Sequence, residues 1–237
     1  MNKITRKTLA FLATLAFAVL ASTAALAAAA NFQLFGDSVL TSPGYNSVTA
    51  AQIRSDVAIA PNYGGVDFVI PAGLTVNDLD TLSADYQFVA GSCGGGSPRF
   101  QVNVVTPGGT KNLFIYLGAS PNYTGCALNV WANTGNLASA TNQVDSGQLG
   151  GGPYMTYSAA QTAYGVYEIT GIQIVADGNW FAGTQTVQVD NVKINNLSYG
   201  FETANSCKNG GWQQFTSAPG PFVTQGQCVS YFAKGGQ

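Results

Sequence analysis

The amino-acid sequence predicts an all-β protein, built as a sandwich or a barrel of short strands. Apolar and polar residues alternate repeatedly along the chain, and no segment shows the periodicity of an amphipathic helix. Turn signals separate the alternating runs, at Pro43-Gly44, Asn62 to Gly65, Pro71 to Gly73, Gly94 to Gly96, Pro107 to Gly109 and Asp177 to Asn179. Many short strands joined by such turns are typical of a β-sandwich or a β-barrel.

The individual strands follow from the placement of apolar residues. The run Arg99 to Val104 puts its apolar residues on one face, and Lys111 to Leu117 (KNLFIYL) is so apolar that it predicts a strand buried on both faces. Further strands are predicted at Val48 to Ala60, Val66 to Ile70, Leu79 to Ala90, Tyr167 to Val175 and Thr184 to Asn195. Ser139 to Ala163 is ambiguous and is interpreted as a long functional loop or two short strands.

The first residues have the pattern of a secretory signal peptide. A basic start precedes the apolar run Leu9 to Leu20, and Ala25-Leu26-Ala27 fits a cleavage site. We therefore predict a signal peptide over residues 1–27 and a secreted, extracellular protein. A membrane helix over Leu9 to Ala30 is the alternative, and it is disfavoured because no basic stop-transfer flank follows. The C-terminus YFAKGGQ has no apolar tail, so we expect no stable membrane anchor after cleavage.

Composition excludes several classes of function. The chain has no histidine, which removes histidine-based catalysis and histidine-ligated zinc. Cleavage after Ala27 would leave six basic residues against eleven acidic ones, so we expect no nucleic-acid partner. Charged residues make up only 8% of the chain, and its polar surface must consist mainly of amides, hydroxyls and tyrosines. Such surfaces are common where proteins contact neutral sugars.

The four cysteines predict two disulfides, because an even number in an exported chain favours a disulfide framework. Three pairings are possible, and we favour Cys93 with Cys126 and Cys207 with Cys228. Each would contribute about 3 kcal/mol in the chain-entropy model. Composition shifts near residues 198–202. We therefore predict a sandwich over residues 28–202 and a small disulfide-closed C-terminal segment over residues 203–237.

The strand Thr184 to Asn195 contains an irregularity. Val187 and Val189 occupy odd positions, whereas Val192 and Ile194 occupy even ones. Side chains alternate strictly along a regular strand, so the inward face can change parity only if one extra residue is inserted. The sequence therefore predicts a β-bulge at Asp190-Asn191.

Two interpretations of Asp190 remain open. Its carboxylate could accept hydrogen bonds from the backbone N–H groups of the bulge. Alternatively, a carboxylate beside free carbonyl groups offers the all-oxygen ligation that calcium prefers.

The stretch TGIQIVADGNWFAGTQTVQVDNVKIN resembles the final two strands of jelly-roll domains of the carbohydrate-binding-module and galactose-binding-like type. In those domains the last strand often carries Asp followed by Asn or Asp between hydrophobic residues, as Val189 to Val192 does here. The resemblance implies a jelly-roll β-sandwich. It also implies a structural calcium ion at Asp190, with Asp37 in FGDSV as the candidate partner. SCGGGSPRFQVNV and CKNGGW…TQGQCVSYFA resemble stretches of uncharacterised secreted bacterial proteins.

Aromatic residues in polar loops are the candidate ligand-binding residues, because their faces stack on sugar rings while amides bond the hydroxyl groups. The candidates are Trp131 with its neighbour Asn133, then Tyr154 and Tyr157, then Trp180. Each ring could instead cover the core. We predict a non-catalytic binding module whose partner is an extracellular or cell-wall polysaccharide or a cell surface.

Two alternative functions are kept. One is a structural or surface-adhesion protein without a small ligand. The other is a glycoside-active enzyme that uses Glu168, which could point into a cleft. The two glutamates of the chain, Glu168 and Glu202, do not form the closely spaced acidic pair that glycosidases use, so catalysis is disfavoured.

Overall fold

A computed structural model of the protein describes residues 31–216 and 219–235. The predicted signal peptide, residues 1–27, lies outside the described residues. None of the helices in the described part of the chain is long and apolar enough to cross a membrane.

The described chain is mainly β-structure. Its strands are β1 Phe32–Gly36, β2 Ser38–Thr41, β3 Ala50–Ser55, β4 Gly64–Phe68, β5 Leu82–Ala90, β6 Arg99–Thr106, β7 Gly109–Tyr116, β8 Ala132–Asn133, β9 Gln143–Val144, β10 Met155–Thr156, β11 Ile169–Ala176, β12 Gln185–Ile194 and β13 Leu197–Tyr199. The α-helices are α1 Tyr157–Tyr164, α2 Asn179–Ala182 and α3 Gln225–Ala233. Short 3-10 helices span Val76–Asp78, Gly147–Leu149 and Gly211–Gln214.

Two antiparallel sheets pack face to face as a jelly roll. The five-stranded sheet has the order β1-β4-β11-β6-β7, and the six-stranded sheet has the order β2-β3-β12-β5-β8 with β13 beside β12. Four strands of each sheet form the orders β3-β12-β5-β8 and β4-β11-β6-β7. Along the chain, consecutive strands repeatedly pass from one sheet to the other. This is the double Greek key of a jelly-roll sandwich. The predicted all-β jelly-roll fold is confirmed.

The core lies between the inner faces of the two sheets. Phe100, Val102 and Val104 of β6 are fully buried, as their alternation predicted. The prediction for Lys111 to Leu117 was wrong, because β7 is an edge strand and its outward side chains Phe114 and Tyr116 remain partly exposed. The apolar character of this strand reflects aromatic residues on the outer face rather than burial on both faces.

The predicted bulge in β12 is confirmed. Asp190 is paired with Asp85 and Lys193 with Ser83, so two residues of β12 lie opposite one residue of β5. Asn191 takes a left-handed backbone conformation with φ of 48°. The extra residue returns the following apolar side chains to the core, as the change of parity required.

The ambiguous segment, residues 139–163, contains both short strands and a helix. β9 and β10 pair with each other, and α1 follows β10 directly. Thr156 caps this helix, because its hydroxyl oxygen accepts a hydrogen bond from the N–H of Ala159. A helix of eight residues is too short to show a clear periodicity in the sequence, which is why it was not predicted.

Both predicted disulfides are present, Cys93–Cys126 and Cys207–Cys228. The second one closes the C-terminal segment, as predicted. This segment builds a small core from Cys207, Cys228 and Phe215, and that core packs against Val48 of the sandwich. The C-terminal segment therefore rests on the loop that joins β2 to β3.

Candidate ligand-binding face

The outer face of the five-stranded sheet carries one continuous row of polar side chains that ends in an aromatic ring. The pairing register joins Gln33 to Asp67, Asp67 to Gln173, Gln173 to Gln101, and Gln101 to Phe114. Their neighbours along the central strands are buried in the core, so these side chains point outward. We call this row the amide face. At roughly 4.8 Å per strand it extends about 19 Å across the sheet.

The amides of this face are ordered by one another. Gln101 Nε2 donates to Gln173 Oε1 at 3.0 Å and to Asn103 Oδ1 at 3.3 Å. Gln173 Nε2 in turn donates to a carboxylate oxygen of Asp67. A glutamine has two N–H donors and an oxygen with two lone pairs, so this relay leaves donor and acceptor capacity for a ligand. The amide face therefore presents side-chain amides that are ordered by their own hydrogen bonds and can still donate to or accept from a ligand.

Arg99 fixes the aromatic end of the amide face. Its guanidinium carbon lies 4.5 Å from the centroid of the Phe114 ring. The same guanidinium donates to both carboxylate oxygens of Asp177, at 2.6 and 2.7 Å. A bidentate pair sets the plane of the guanidinium, which then lies against the ring. The positive charge of Arg99 is paired with Asp177, so the one carboxylate on the row itself is Asp67.

Three tyrosine rings pack together beside Phe114, and Tyr123 among them is buried. The rings of Tyr123 and Tyr154 stack in parallel with centroids 5.9 Å apart. Tyr116 meets both rings edge-on, at 5.2 Å from Tyr123 and 6.4 Å from Tyr154. Tyr154 is 49% exposed, so its ring is available at the rim of the face. Of the predicted ligand residues, Tyr154 is the one that lies beside the amide face.

The segment that carries Tyr154 is anchored along the edge of β7. Phe114 N–H donates to Asp145 O at 2.9 Å, and Asp145 N–H donates to Phe114 O at 2.8 Å. The hydroxyl of Tyr116 donates to Asp145 Oδ2 at 2.7 Å. Burial raises the pKa of Tyr116 well above its ordinary value, and the neighbouring Asp145 carboxylate raises it further. The hydroxyl of Tyr116 therefore keeps its proton and holds the segment around Asp145 against the edge of β7.

Trp131 and Asn133 lie together, but on the other sheet. The ring of Trp131 stacks on Tyr45 with centroids 5.2 Å apart. Asn133 belongs to β8, and its Nδ2 donates to Asp85 Oδ1 at 2.7 Å. These residues are thus brought close to each other and to the bulge of β12, away from Tyr154.

The remaining two aromatic candidates differ in exposure. Tyr157 is fully buried, and its hydroxyl donates to Leu79 O at 2.6 Å. A ligand cannot reach it there, so Tyr157 is a core residue and not a ligand-binding one. As the first residue of α1, it points its ring into the sandwich. Trp180 is 73% exposed in α2, beside Phe181, at the turn between β11 and β12.

Asp190 is surrounded by hydrogen-bond donors. Its Oδ2 accepts from the N–H of Tyr45 at 2.8 Å and from the hydroxyl of Ser47. Its Oδ1 accepts from the N–H of Asn191 at 2.8 Å. A cation would instead need oxygen lone pairs directed at it. These contacts fit the first interpretation of Asp190, in which the carboxylate satisfies backbone N–H groups.

Asp37 is not close to Asp190. The carbonyl of Asp37 accepts from the N–H of Arg54, whereas Val189, the residue before Asp190, pairs with Ala51. Continuation of this register puts Asp190 at the level of Ala50, four positions along β3 from Arg54, or roughly 13 Å away. Calcium ligation by Asp190 stays a prediction, but the structure does not bring Asp37 to it. Among the described residues, no group of three or more Cys, Asp or Glu side chains could hold a metal ion.

The two glutamates have different surroundings. Glu168 is exposed just before β11, where its backbone pairs with Thr75. Glu202 Oε1 accepts from the N–H groups of Val48 and Thr49 at 3.1 and 3.3 Å. Glu202 thus holds the β2–β3 loop.

The amide face was not identified from the sequence, although a signal was present. The residues between the buried positions of β6 are Arg99, Gln101 and Asn103, and the outward residues of β7 are Asn112, Phe114 and Tyr116. An outward series of amides beside an outward series of aromatic residues would have pointed to this face. The pattern of the sequence instead favours the aromatic residues in polar loops.

No protein-family model matches the chain, and no curated protein matches it. Two solved structures are similar to parts of it. An exo-beta-agarase has 14% sequence identity over 73% of this chain and 24% of the agarase chain, at a TM-score of 0.34. A non-crystalline cellulose specific carbohydrate-binding module has 17% identity over 65% of this chain and 79% of the module, at a TM-score of 0.28.

The chain spans about a quarter of the length of that agarase. At these TM-scores neither likeness bears on the function of this chain. The jelly-roll assignment follows from its own strand order.

Proposed function

We propose that this protein binds a neutral extracellular polysaccharide on the amide face. The observation that carries the proposal is the row of Gln33, Asp67, Gln173 and Gln101 that ends at Phe114, with Tyr154 at its rim. The signal peptide predicted over residues 1–27 and the two disulfides support an extracellular location.

The chemistry of the face suits a sugar polymer. Sugar hydroxyl groups donate and accept hydrogen bonds, as the amides do, and the apolar faces of sugar rings stack on aromatic rings. The amides are already ordered by their own hydrogen bonds, so less side-chain entropy is lost on binding. A face about 19 Å long accommodates several sugar units of an extended chain.

We propose binding without hydrolysis. Glycoside hydrolysis uses two carboxyl groups that flank the scissile bond. On the row itself Asp67 is the one carboxylate, and it accepts a hydrogen bond from Gln173. Glu168 lies before β11, where its backbone pairs with Thr75 and its carbonyl accepts from the N–H of Val105 at 2.9 Å. Val105 is four residues along β6 from Gln101, or roughly 13 Å from the row.

Retention on insoluble neutral polysaccharides tests the proposal. The mature protein is incubated with swollen amorphous cellulose, agarose beads and cross-linked galactomannan, and the bound fraction is measured against protein concentration. We expect saturable retention on at least one matrix. The double variant Gln101→Ala/Gln173→Ala and the variant Phe114→Ala should each weaken the apparent affinity at least about tenfold, since two lost hydrogen bonds or one lost ring contact correspond to about 1–3 kcal/mol.

Gln214→Ala is the matched control, because Gln214 is an exposed amide in the C-terminal segment. It should bind as the wild type does. Equal binding by the wild type and both amide-face variants, with unchanged thermal melts, would rule out the amide face as the binding site.

A further inference from the structure

The outer face of the six-stranded sheet carries a second row of amides. The register joins Val39 to Gln52, Gln52 to Gln188, and Gln188 to Gln87. Gln87 Nε2 donates to Gln188 Oε1 at 2.8 Å, and Gln188 Nε2 donates to Gln52 Oε1 at 3.3 Å. This is the same relay as on the amide face, in which each amide orders the next. We call this row the opposite amide row.

The opposite amide row also ends at an aromatic residue. Ala132 of β8 is paired with Tyr86. Trp131 directly precedes Ala132, and continuation of this register puts it beside Gln87. Its indole ring stacks on Tyr45 at 5.2 Å. Both sheets therefore carry a row in which ordered amides on the central strands lead to an aromatic ring at one edge.

Tyr45 is held at this edge by the bulge of β12. Its N–H donates to Asp190 Oδ2 at 2.8 Å, and its carbonyl accepts from Asn191 Nδ2 at 3.0 Å. Asn191 Nδ2 also donates to Asp85 Oδ2 at 2.9 Å. The exposed residue of the bulge thus joins the β2–β3 loop to β5. The stacked pair of Tyr45 and Trp131 is anchored to the sheet on which the opposite amide row lies.

We propose that the opposite amide row is a second binding surface for neutral polysaccharide, so that one molecule bridges two polymer chains. This inference rests on the proposed function of the amide face. The two rows lie on the outer faces of sheets packed about 10 Å apart, and they point in opposite directions. One extended chain lying along one face does not contact the other face. A molecule with both faces in use is therefore a cross-linker.

A capture assay separates bridging from simple binding. The protein is loaded to equal density on an insoluble polymer, washed, and offered a fluorescent soluble form of the same polymer. The pairs are swollen cellulose with hydroxyethylcellulose, agarose beads with low-melting agarose, and cross-linked galactomannan with soluble galactomannan. The wild-type protein should capture soluble polymer on the matrix that retains it.

Single-face variants identify the second surface. Two separate variants, Trp131→Ala and Gln188→Ala, should still be retained through the amide face. Each should capture at least about tenfold less soluble polymer per bound protein, and a tenfold loss corresponds to about 1.4 kcal/mol of binding free energy. Phe114→Ala, with the weakened affinity expected above, should still be retained through the opposite amide row at high protein concentration, and it should also capture less soluble polymer per bound protein. A variant that combines Phe114→Ala with Trp131→Ala should lose retention. Gln188→Ala leaves the stack of Tyr45 on Trp131 intact, so it guards against a folding defect.

The outcomes distinguish the two proposals. Wild-type protein that is retained but captures no soluble polymer would overturn the second surface and leave the amide face standing. Wild-type levels of capture by Trp131→Ala and Gln188→Ala would overturn it as well, because a dimer could then bridge through two amide faces. The second surface would also be overturned if Phe114→Ala were not retained at any protein concentration. Failure of the wild type on all three matrices would overturn both proposals.

Discussion

Asp190 and Tyr45 are 145 residues apart in the chain, yet the N–H of Tyr45 donates to Oδ2 of Asp190 at 2.8 Å. The same fully buried carboxylate accepts from Ser47 and from the N–H of Asn191. Burial raises the pKa of Asp190 to about 6, and the neighbouring charge of Glu202 adds to this, while the three donors oppose it. The bulge of β12 thereby clamps the loop that presents Tyr45 to Trp131.

The raised pKa of Asp190 predicts a specific pH dependence of stability. A carboxyl group whose pKa is higher in the folded state binds protons more tightly there, so its stabilising contribution is full below about pH 4 and is lost as pH rises through about 6. Asp190→Asn cannot titrate. The free energy of unfolding of the wild type, minus that of the variant, should fall by on the order of 2–3 kcal/mol between about pH 4 and pH 7.

Denaturant unfolding of both proteins across this pH range measures the difference directly. Parallel profiles for the wild type and Asp190→Asn would contradict the raised pKa. A difference that grows as pH rises would contradict its direction.

Removal of calcium distinguishes the two interpretations of Asp190. The three donors around its carboxylate already satisfy the oxygens, so we expect the same thermal midpoint with EGTA and with added calcium. A midpoint that rises with calcium concentration in the wild type, and does not rise in Asp190→Asn, would instead establish calcium ligation at this position.

Tyr157→Phe should reduce stability without affecting polysaccharide retention. The hydroxyl of Tyr157 donates to Leu79 O at 2.6 Å inside the sandwich, and its removal leaves a buried carbonyl with one hydrogen bond fewer. We expect a loss of about 1 kcal/mol in the free energy of unfolding. Tyr154→Ala is the matching change at the rim, and it should weaken retention with little change in stability. Weakened retention by Tyr157→Phe would contradict its assignment to the core.

Loss of the disulfide Cys207–Cys228 should destabilise the C-terminal segment more than the sandwich. The bridge joins residues 21 positions apart, and such a loop contributes about 3 kcal/mol in the chain-entropy model. The paired variant Cys207→Ser/Cys228→Ser should be cleaved faster by protease within residues 203–235, while residues 31–202 stay resistant. Mass spectrometry of the fragments identifies the sites. Unchanged cleavage would mean that the apolar packing around Phe215 and Val48 holds the segment without the disulfide.

The sequence by itself determined the features that depend on neighbouring residues. The change of parity between Val189 and Val192 required a bulge, because side-chain alternation is a local property of a strand. Alternation and turn residues indicated an all-β chain. The positions of the four cysteines favoured the two pairings that the structure has.

The tertiary structure decided which outward residues lie side by side. Asp67, Gln173 and Gln101 come from three distant strands, and their row exists only because the jelly roll places β4, β11 and β6 next to one another. Tyr154 and Tyr157 are three residues apart, yet one is exposed and the other buried, because α1 begins at Tyr157 and turns its ring inward. Strand order and the orientation of a short helix are set by packing of the whole core, and local sequence does not encode them.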